Sequence, residues 1–407
     1  MIELLPVSGH LVADAHASAV IAPAYDSLDP DQRRAYAAAH PASFLTALPT
    51  GEVDDAMLAG NRRALERLLD GGRFTPLSEP ALLVLELTED GHTITAVIGD
   101  LDVCHYLDGT IRPHEHVRPD RVHDLARYLD VVEVASSPVC VLHQPDPDLT
   151  AVVARVRAGV PVVDATLTDH ARIRAWTVGP GREHQAMLSA TRDLREPTIA
   201  DGHHRAAAVA HRVGPTAAEP PGAADATEDA TEDATVAARR VLTALVPADE
   251  LRVEPFHRRI DDLLGVDAED VAALLAERGL RMRALPGPAP PPGRGTVHLT
   301  VAGSWWSVRI GDRAGSGPVD SLDAHVVERE IVQPLSTLAA HPEGARVVPV
   351  PGPLGFDALT RHGAVGIVLT PPTVEELLRV IAAGEVLPHK STYLVPKLRS
   401  GVIVVPR

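Results

Sequence analysis

Between an apolar run, TIA, and an alanine-rich run, AAAVAHR, the sequence sets five residues of another kind: Asp201, Gly202, His203, His204 and Arg205. The apolar run predicts a strand and the alanines predict a helix, so the burst falls where a helix begins. A helix start leaves backbone N–H groups without partners and carries the positive end of the helix dipole, which together attract an anion. Gly202 lets the backbone approach such a ligand closely. Arg205 can fork two hydrogen bonds onto a phosphate, and His203 and His204 add imidazole donors. Asp201 can hold a magnesium ion that bridges the same phosphates. The plainer alternative is a capped helix with surface histidines. No GxxxxGKS or GxxxxGKT occurs, which excludes an ordinary P-loop.

Three further groups carry chemistry. DGTIRPHEHVRPDR places Glu115 between His114 and His116, in a predicted loop leading to a helix. A carboxylate flanked by imidazoles can act as a general base on a hydroxyl or help bind a metal, and otherwise it pairs charges in a solvated loop. HEH lacks the spacing of the helical HExxH zinc site, which argues against a metalloprotease. Near the end of the chain Lys390, Ser391 and Thr392 stand together, followed by Tyr393 and Lys397. A lysine beside two hydroxyls on a strand edge can neutralise a phosphate and orient its oxygens; the alternative is ordinary exposed strand residues. Last, EPFHRRI sets His257 and Arg258 after a predicted strand, where they suit a cation-collecting pocket or merely solvate a loop.

The elements that must position these groups are mixed. SLDPDQRRAYAAAHP predicts a helix with Asp29 at its N-cap, Pro30 at its first position and Gln32 reaching back. ALLVLEL and TITAVIGD, joined by Asp90-Gly91, predict a hairpin. RPDRVHDLARYLDVV predicts a helix, SPVCVLHQP a strand, and RVLTALVPADEL a strand returning to the same sheet. TVHLTVAGSWWSVRIGD predicts a hairpin, LDAHVVEREIVQPLSTL one helix, TVEELLRVIAAG a helix capped by Thr373, and the C-terminal LPHKSTYLVPKLRSGVIVVPR a two-stranded hairpin. Irregular alternation with hairpins favours an α+β fold, mixed sheets with flanking helices, over a doubly wound parallel sheet.

The stretch 213–238 has six acidic residues, tandem ATED copies, no basic residue and no aromatic, so it reads as a disordered acidic insertion. The Pro/Gly stretch LPGPAPPPGRG suggests a boundary between a domain at 1–284 and a second at 295–407, whose last hairpin would return Lys390 to the site.

A length of 407 residues suits two domains, and 45% hydrophobic with 23% charged residues describes a folded chain. A formal net charge of -17 argues against a sequence-independent grip on nucleic acid, where many cations must meet phosphates. Two distant cysteines, Cys104 and Cys140, give neither a disulfide framework nor a thiolate zinc cluster. The N-terminus lacks the pattern of a signal peptide, and no run approaches the roughly 20 apolar residues of a membrane span. The expectation is a cytoplasmic protein with no membrane partner.

Taken together, VIAPAYDSL, HPASFL, LDGTIRPHE, RIRAWTV, TIADGHHRAAA, LVPADELRVEPFHR and LPHKSTYLVPKLRSG resemble, in order and approximate spacing, the bacterial family catalogued as domain of unknown function 1015. Its DGHHR region is similar to the ParB/sulfiredoxin-like superfamily, whose members bind nucleotide phosphates on a turn at a helix start, and some relatives phosphorylate free serine. The resemblance implies a ParB/sulfiredoxin-like nucleotide-binding core, with ATP or ADP phosphates on Gly202, His203, His204, Arg205, His257, Arg258, Lys390, Ser391 and Thr392. It further implies magnesium on Asp201, Glu115 and His114 as catalytic residues, and a small hydroxyl-bearing acceptor. Two positions depart from the pattern, Ala206 and Leu394, where the family carries aromatics. Two other readings share these residues: a nucleotide-binding regulatory switch without catalysis, and a metal hydrolase built on His114, His116, His203 and His204.

Overall fold

A computed structural model describes residues 2–214, 236–311, 317–339, 344–387 and 390–407. The centre of the acidic insertion, 215–235, lies outside the described residues. The chain forms two compact units: Met1–Leu251 with Pro396–Arg407, and Arg252–Val395.

The first unit is built on a seven-stranded sheet. Its order is Val163–Thr166, Arg172–Val178, Leu82–Glu89, His92–Asp102, Arg240–Pro247, Val139–His143 and Thr198–Asp201. Leu82–Glu89 and His92–Asp102 form the expected hairpin, with Asp90 (φ 50) and Gly91 (φ 74) in the left-handed conformation that tight hairpin turns require. Residues Leu82 to Leu87 are all buried, so this strand runs through the middle of the core. Arg240–Pro247 lies antiparallel to His92–Asp102 and parallel to Val139–His143, which makes the sheet mixed, and it does return to the sheet that holds Thr198–Asp201.

Helices flank this sheet. Pro30–Ala39 opens with the expected capping box between Asp29 and Gln32. Pro119–Val132 packs against His203–Val213, a helix that buries Ala206, Ala208 and Val209. A smaller four-stranded sheet runs Phe74–Pro76, His10–Val12, Ile403–Pro406, Val134–Ala135. Two arginines fix the C-terminal segment here: Arg399, 1% exposed, meets Glu89 and Asp169, and Arg407 meets Asp100.

The second unit has its own sheet in the order Met282–Leu285, Ser304–Arg309, Thr296–Val301, Val365–Val368, Arg252–Ile260, Val347–Pro351, with Thr392–Val395 on the first half of Arg252–Ile260. Its core gathers Ile260, Val271, Leu275, Val297, Leu299 and Ile367. Thr373 and Glu376 close the expected capping box of Val374–Ala382. The single helix expected near Pro334 is helical throughout but includes a π-helical stretch, Glu328–Val332. A proline cannot donate to the ladder and crowds the preceding turn, and a wider turn relieves that crowding.

Two expectations are corrected. The Pro/Gly stretch at 285–295 connects Met282–Leu285 and Thr296–Val301, both paired to Ser304–Arg309, so it is a loop within one sheet. The C-terminal hairpin does not form, because Thr392–Val395 joins the second unit's sheet while Ile403–Pro406 joins the first unit's small sheet. Among the described residues no helix is long and apolar enough to cross a membrane.

Candidate functional site

Thr198–Asp201 is the edge strand of the first unit's large sheet. Its outer side is covered by the loop 108–118, which lies parallel to it: Arg112 N–H donates to Pro197 O at 3.1 Å and Ile199 N–H to Arg112 O at 2.9 Å. An edge strand needs such a cover to satisfy its outward backbone groups. The chain then turns at Gly202 (φ 96, ψ 22) into the helix His203–Val213. A Cβ on Gly202 would stand 2.8 Å from Arg205 Nε and Nη2. Glycine therefore supplies the positive φ and the room for a guanidinium folded back over the turn.

Arg205 Nη2 donates to Asp201 Oδ2 at 2.5 Å, and Lys397 Nζ donates to Asp201 Oδ1 at 2.6 Å. Two cations thus meet on one carboxylate at the start of the helix, where the helix dipole favours an anion. The Lys397 side chain is 12% exposed and that of Arg205 28%, so the cluster is half-withdrawn from water. Both Asp201 carboxylate oxygens face cations in this arrangement.

Each of the two histidines accepts a backbone hydrogen bond from the loop 108–118. The backbone N–H of His114 donates to His203 Nε2 at 3.2 Å, and that of Arg118 donates to His204 Nε2 at 3.0 Å. A neutral imidazole accepting at Nε2 carries its proton on Nδ1, which assigns both tautomers. His114 Nδ1 donates to Ile199 O at 2.6 Å, so its Nε2 keeps a lone pair. The His114 and His203 rings meet edge to face with centroids 4.5 Å apart.

Burial, with His114 adding to it, pushes His203 down to about 3, and burial likewise lowers His114; both rings are neutral at pH 7. Half-buried Glu115 completes a group with His114 and His203 whose ligand atoms all lie within 4.8 Å of one another. His116 is exposed and outside that group. Cys140 pairs with Asp201 across the strands, and burial, then the Asp201 charge, push its thiol up to about 12, so it is no nucleophile.

The remaining predicted residues belong to the second unit. His257 and Arg258 lie inside the strand Arg252–Ile260, not after a strand. Arg258 is buried; its Nη1 donates to Lys390 O at 3.0 Å and Phe256 O at 3.2 Å, and its Nε stands 4.0 Å from Glu328. Lys390 occupies a turn with φ 55, ahead of the strand rather than on its edge, and its Nζ lies 5.3 Å from the Phe256 ring centroid. Ser391 is buried and Thr392 pairs with Pro255. His257 Nδ1 accepts the Leu369 N–H at 3.2 Å, and burial, then Arg258, push that imidazole down to about 4.

The first unit thus brings together His114, Glu115, Asp201, Gly202, His203, His204 and Arg205. The second unit brings together His257, Arg258, Lys390, Ser391 and Thr392. Sequence reasoning set Lys390 ahead of Lys397, yet Lys397 is the lysine beside Arg205 in the first unit. It also missed the backbone amides of His114 and Arg118, which leave no mark on residue type.

The pattern described as "Protein of unknown function (DUF1015)" matches residues 4–325. The chain belongs to this family. No curated protein matches the sequence. Among solved structures, this DUF1015 protein is similar to a free serine kinase in complex with AMP, at 14% identity and TM-score 0.38, covering 77% of this chain and 91% of that one. It is also similar to SbnI with C-terminal truncation from Staphylococcus aureus, at 13% identity and TM-score 0.40, covering 76% and 87%. A conserved hypothetical protein from Pyrococcus furiosus gives 14% identity and TM-score 0.35, covering 75% and 95%. At these TM-scores the likeness says nothing about the chemistry of the DUF1015 chain. The matched span contains the whole DGHHR turn and the HEH loop, whereas Lys390 and Lys397 lie beyond it.

Proposed function

We propose that this protein is a nucleotide-dependent phosphotransferase acting on a hydroxyl-bearing small molecule such as a free amino acid, on a ParB/sulfiredoxin-like core. The observation that supports this reading best is the Asp201–Arg205–Lys397 cluster at the start of the helix His203–Val213. A polyphosphate of ATP or ADP competes with the Asp201 carboxylate for both cations at a helix start whose dipole favours an anion. Phosphoryl transfer asks chiefly for charge neutralisation and alignment, which such a cluster provides.

Glu115 sits in the loop that the two histidines pin to the same helix start, and in this reading it takes the proton of the acceptor hydroxyl. The acceptor oxygen bonds to the terminal phosphorus, the bridging P–O bond breaks, and the shortened nucleotide leaves with those electrons. His114 anchors the loop that carries Glu115 through its bond to Ile199 O.

Calorimetric titration of ATP and ADP into the native protein and Arg205→Ala tests the cradle. Arg205→Ala should weaken binding tenfold or more, about 1.4 kcal/mol or above. Glu115→Gln should keep binding and abolish transfer to free amino acids. Equal binding by Arg205→Ala refutes the reading; binding by the native protein without transfer to any acceptor assigns the regulatory switch.

A further inference from the structure

We infer that His114, Glu115 and His203 form a binding site for one divalent transition-metal ion of the zinc, cobalt or manganese class. The inference goes beyond the nucleotide reading and does not depend on it.

Three observations carry it. Each of the three residues offers one ligand atom, and these atoms lie within 4.8 Å of one another. Ligands on a single zinc, each at ~2 Å, stand roughly 3.3 Å apart in a tetrahedron, so side-chain adjustments of about 1.5 Å complete the site. The second observation is how His114 is held. Its Nδ1 donates to the Ile199 carbonyl at 2.6 Å, which aims the Nε2 lone pair away from that bond. A backbone carbonyl holding the far nitrogen is the usual support of a metal-ligating histidine, since it fixes both tautomer and ring orientation. The third is position: both histidines are buried, at 2% and 5% exposure, so water competes weakly for the ion.

The donor set decides the class of metal. Two imidazole nitrogens and one carboxylate suit zinc, cobalt and manganese, and they suit magnesium poorly, because magnesium takes oxygen ligands and keeps its waters. Three protein ligands leave a coordination position open to a small molecule. His203 Nε2 already accepts the His114 amide at 3.2 Å, and a metal on that nitrogen displaces this one long bond between neutral groups.

The test is a cobalt titration of the full chain, with no nucleotide present, followed in the visible d–d bands. One equivalent should bind at micromolar concentration, zinc should displace it, and millimolar magnesium should not. Glu115→Gln should weaken binding tenfold or more while keeping the native melting temperature. His116→Ala, next in the chain but outside the group, should bind as the native protein does. His114→Ala and His203→Ala should abolish the bands, and either counts only if its circular dichroism is native. No stoichiometric binding overturns the inference, as does displacement by magnesium or equal loss in Glu115→Gln and His116→Ala. Because the readout is metal alone, failure of nucleotide binding leaves this result untouched, and the reverse holds.

Discussion

Lys397 reaches Asp201 across 196 residues of chain and takes Oδ1 at 2.6 Å, while Arg205, one helical turn on, takes Oδ2. One carboxylate therefore sets where two cations stand. It joins the helix start to the C-terminal segment that Arg399 and Arg407 hold in the same unit. In the phosphate-cradle reading, Asp201 is the internal competitor that a polyphosphate must replace.

Asp201→Asn separates the two sides of that competition. Removing the charge takes away the carboxylate that Arg205 and Lys397 share, which should lower stability by about 1–2 kcal/mol; charged hydrogen bonds contribute somewhat more, and partial exposure reduces the effect. The same change should raise ATP affinity several-fold, since the Asp201 carboxylate then no longer competes for the cations. Urea unfolding and calorimetry read the two quantities. Affinity and stability falling together would place Asp201 on the ligand instead.

Gly202→Ala should be unfavourable for two reasons at once. A left-handed φ of 96 imposes roughly 1–2 kcal/mol on any residue with a Cβ. The new methyl also meets Arg205 Nε at 2.8 Å and forces the guanidinium off the turn. The expected result is a lower urea midpoint together with weaker nucleotide binding. A lower midpoint with unchanged affinity would show that Arg205 can bind from another rotamer.

Where local chemistry decides structure, the sequence was readable. The Asp29/Gln32 and Thr373/Glu376 capping boxes and the Asp90-Gly91 hairpin each depend on neighbours within a few residues. The strand Arg252–Ile260 was not readable, because Pro255 and three arginines hide its alternation, and a proline ordinarily argues against a strand. The C-terminal segment misled for a different reason. Both halves are strand-forming, but the choice between pairing with each other and joining two sheets rests on residues far earlier in the chain, at Arg252–Pro255 and at His10–Leu11. The DGHHR turn was located correctly from spacing alone. The use of its histidines as acceptors was hidden because the donors are backbone groups 89 and 86 residues away.

His204→Ala tests that clamp. It removes the acceptor of the Arg118 amide and leaves the His203 bond in place. A net hydrogen bond contributes about 1 kcal/mol, so stability should fall modestly. Hydrogen exchange is the sharper readout: the Arg118 amide should lose protection by about tenfold, while amides of Leu82–Glu89 keep theirs. Uniform loss across the unit would mean that His204 supports the core and not the loop.

Acid should weaken the second unit through His257. Its imidazole is pushed from 6.5 down to about 4 by burial and by Arg258, so the unfolded chain binds the proton more tightly than the folded one does. Stability rises with pH wherever the unfolded state holds more protons. The contribution is therefore complete above about pH 6.5, declines as pH falls toward 4, and levels off below it. A displacement of that size corresponds to about 3 kcal/mol at most. The protonated ring cannot keep accepting the Leu369 N–H at Nδ1, which is the structural form of the same loss. His257→Gln has no titrating group at this position, so its stability should be lower at pH 7 but flatter between pH 6.5 and 4. Parallel curves for the native protein and His257→Gln would remove His257 as the source of the acid sensitivity.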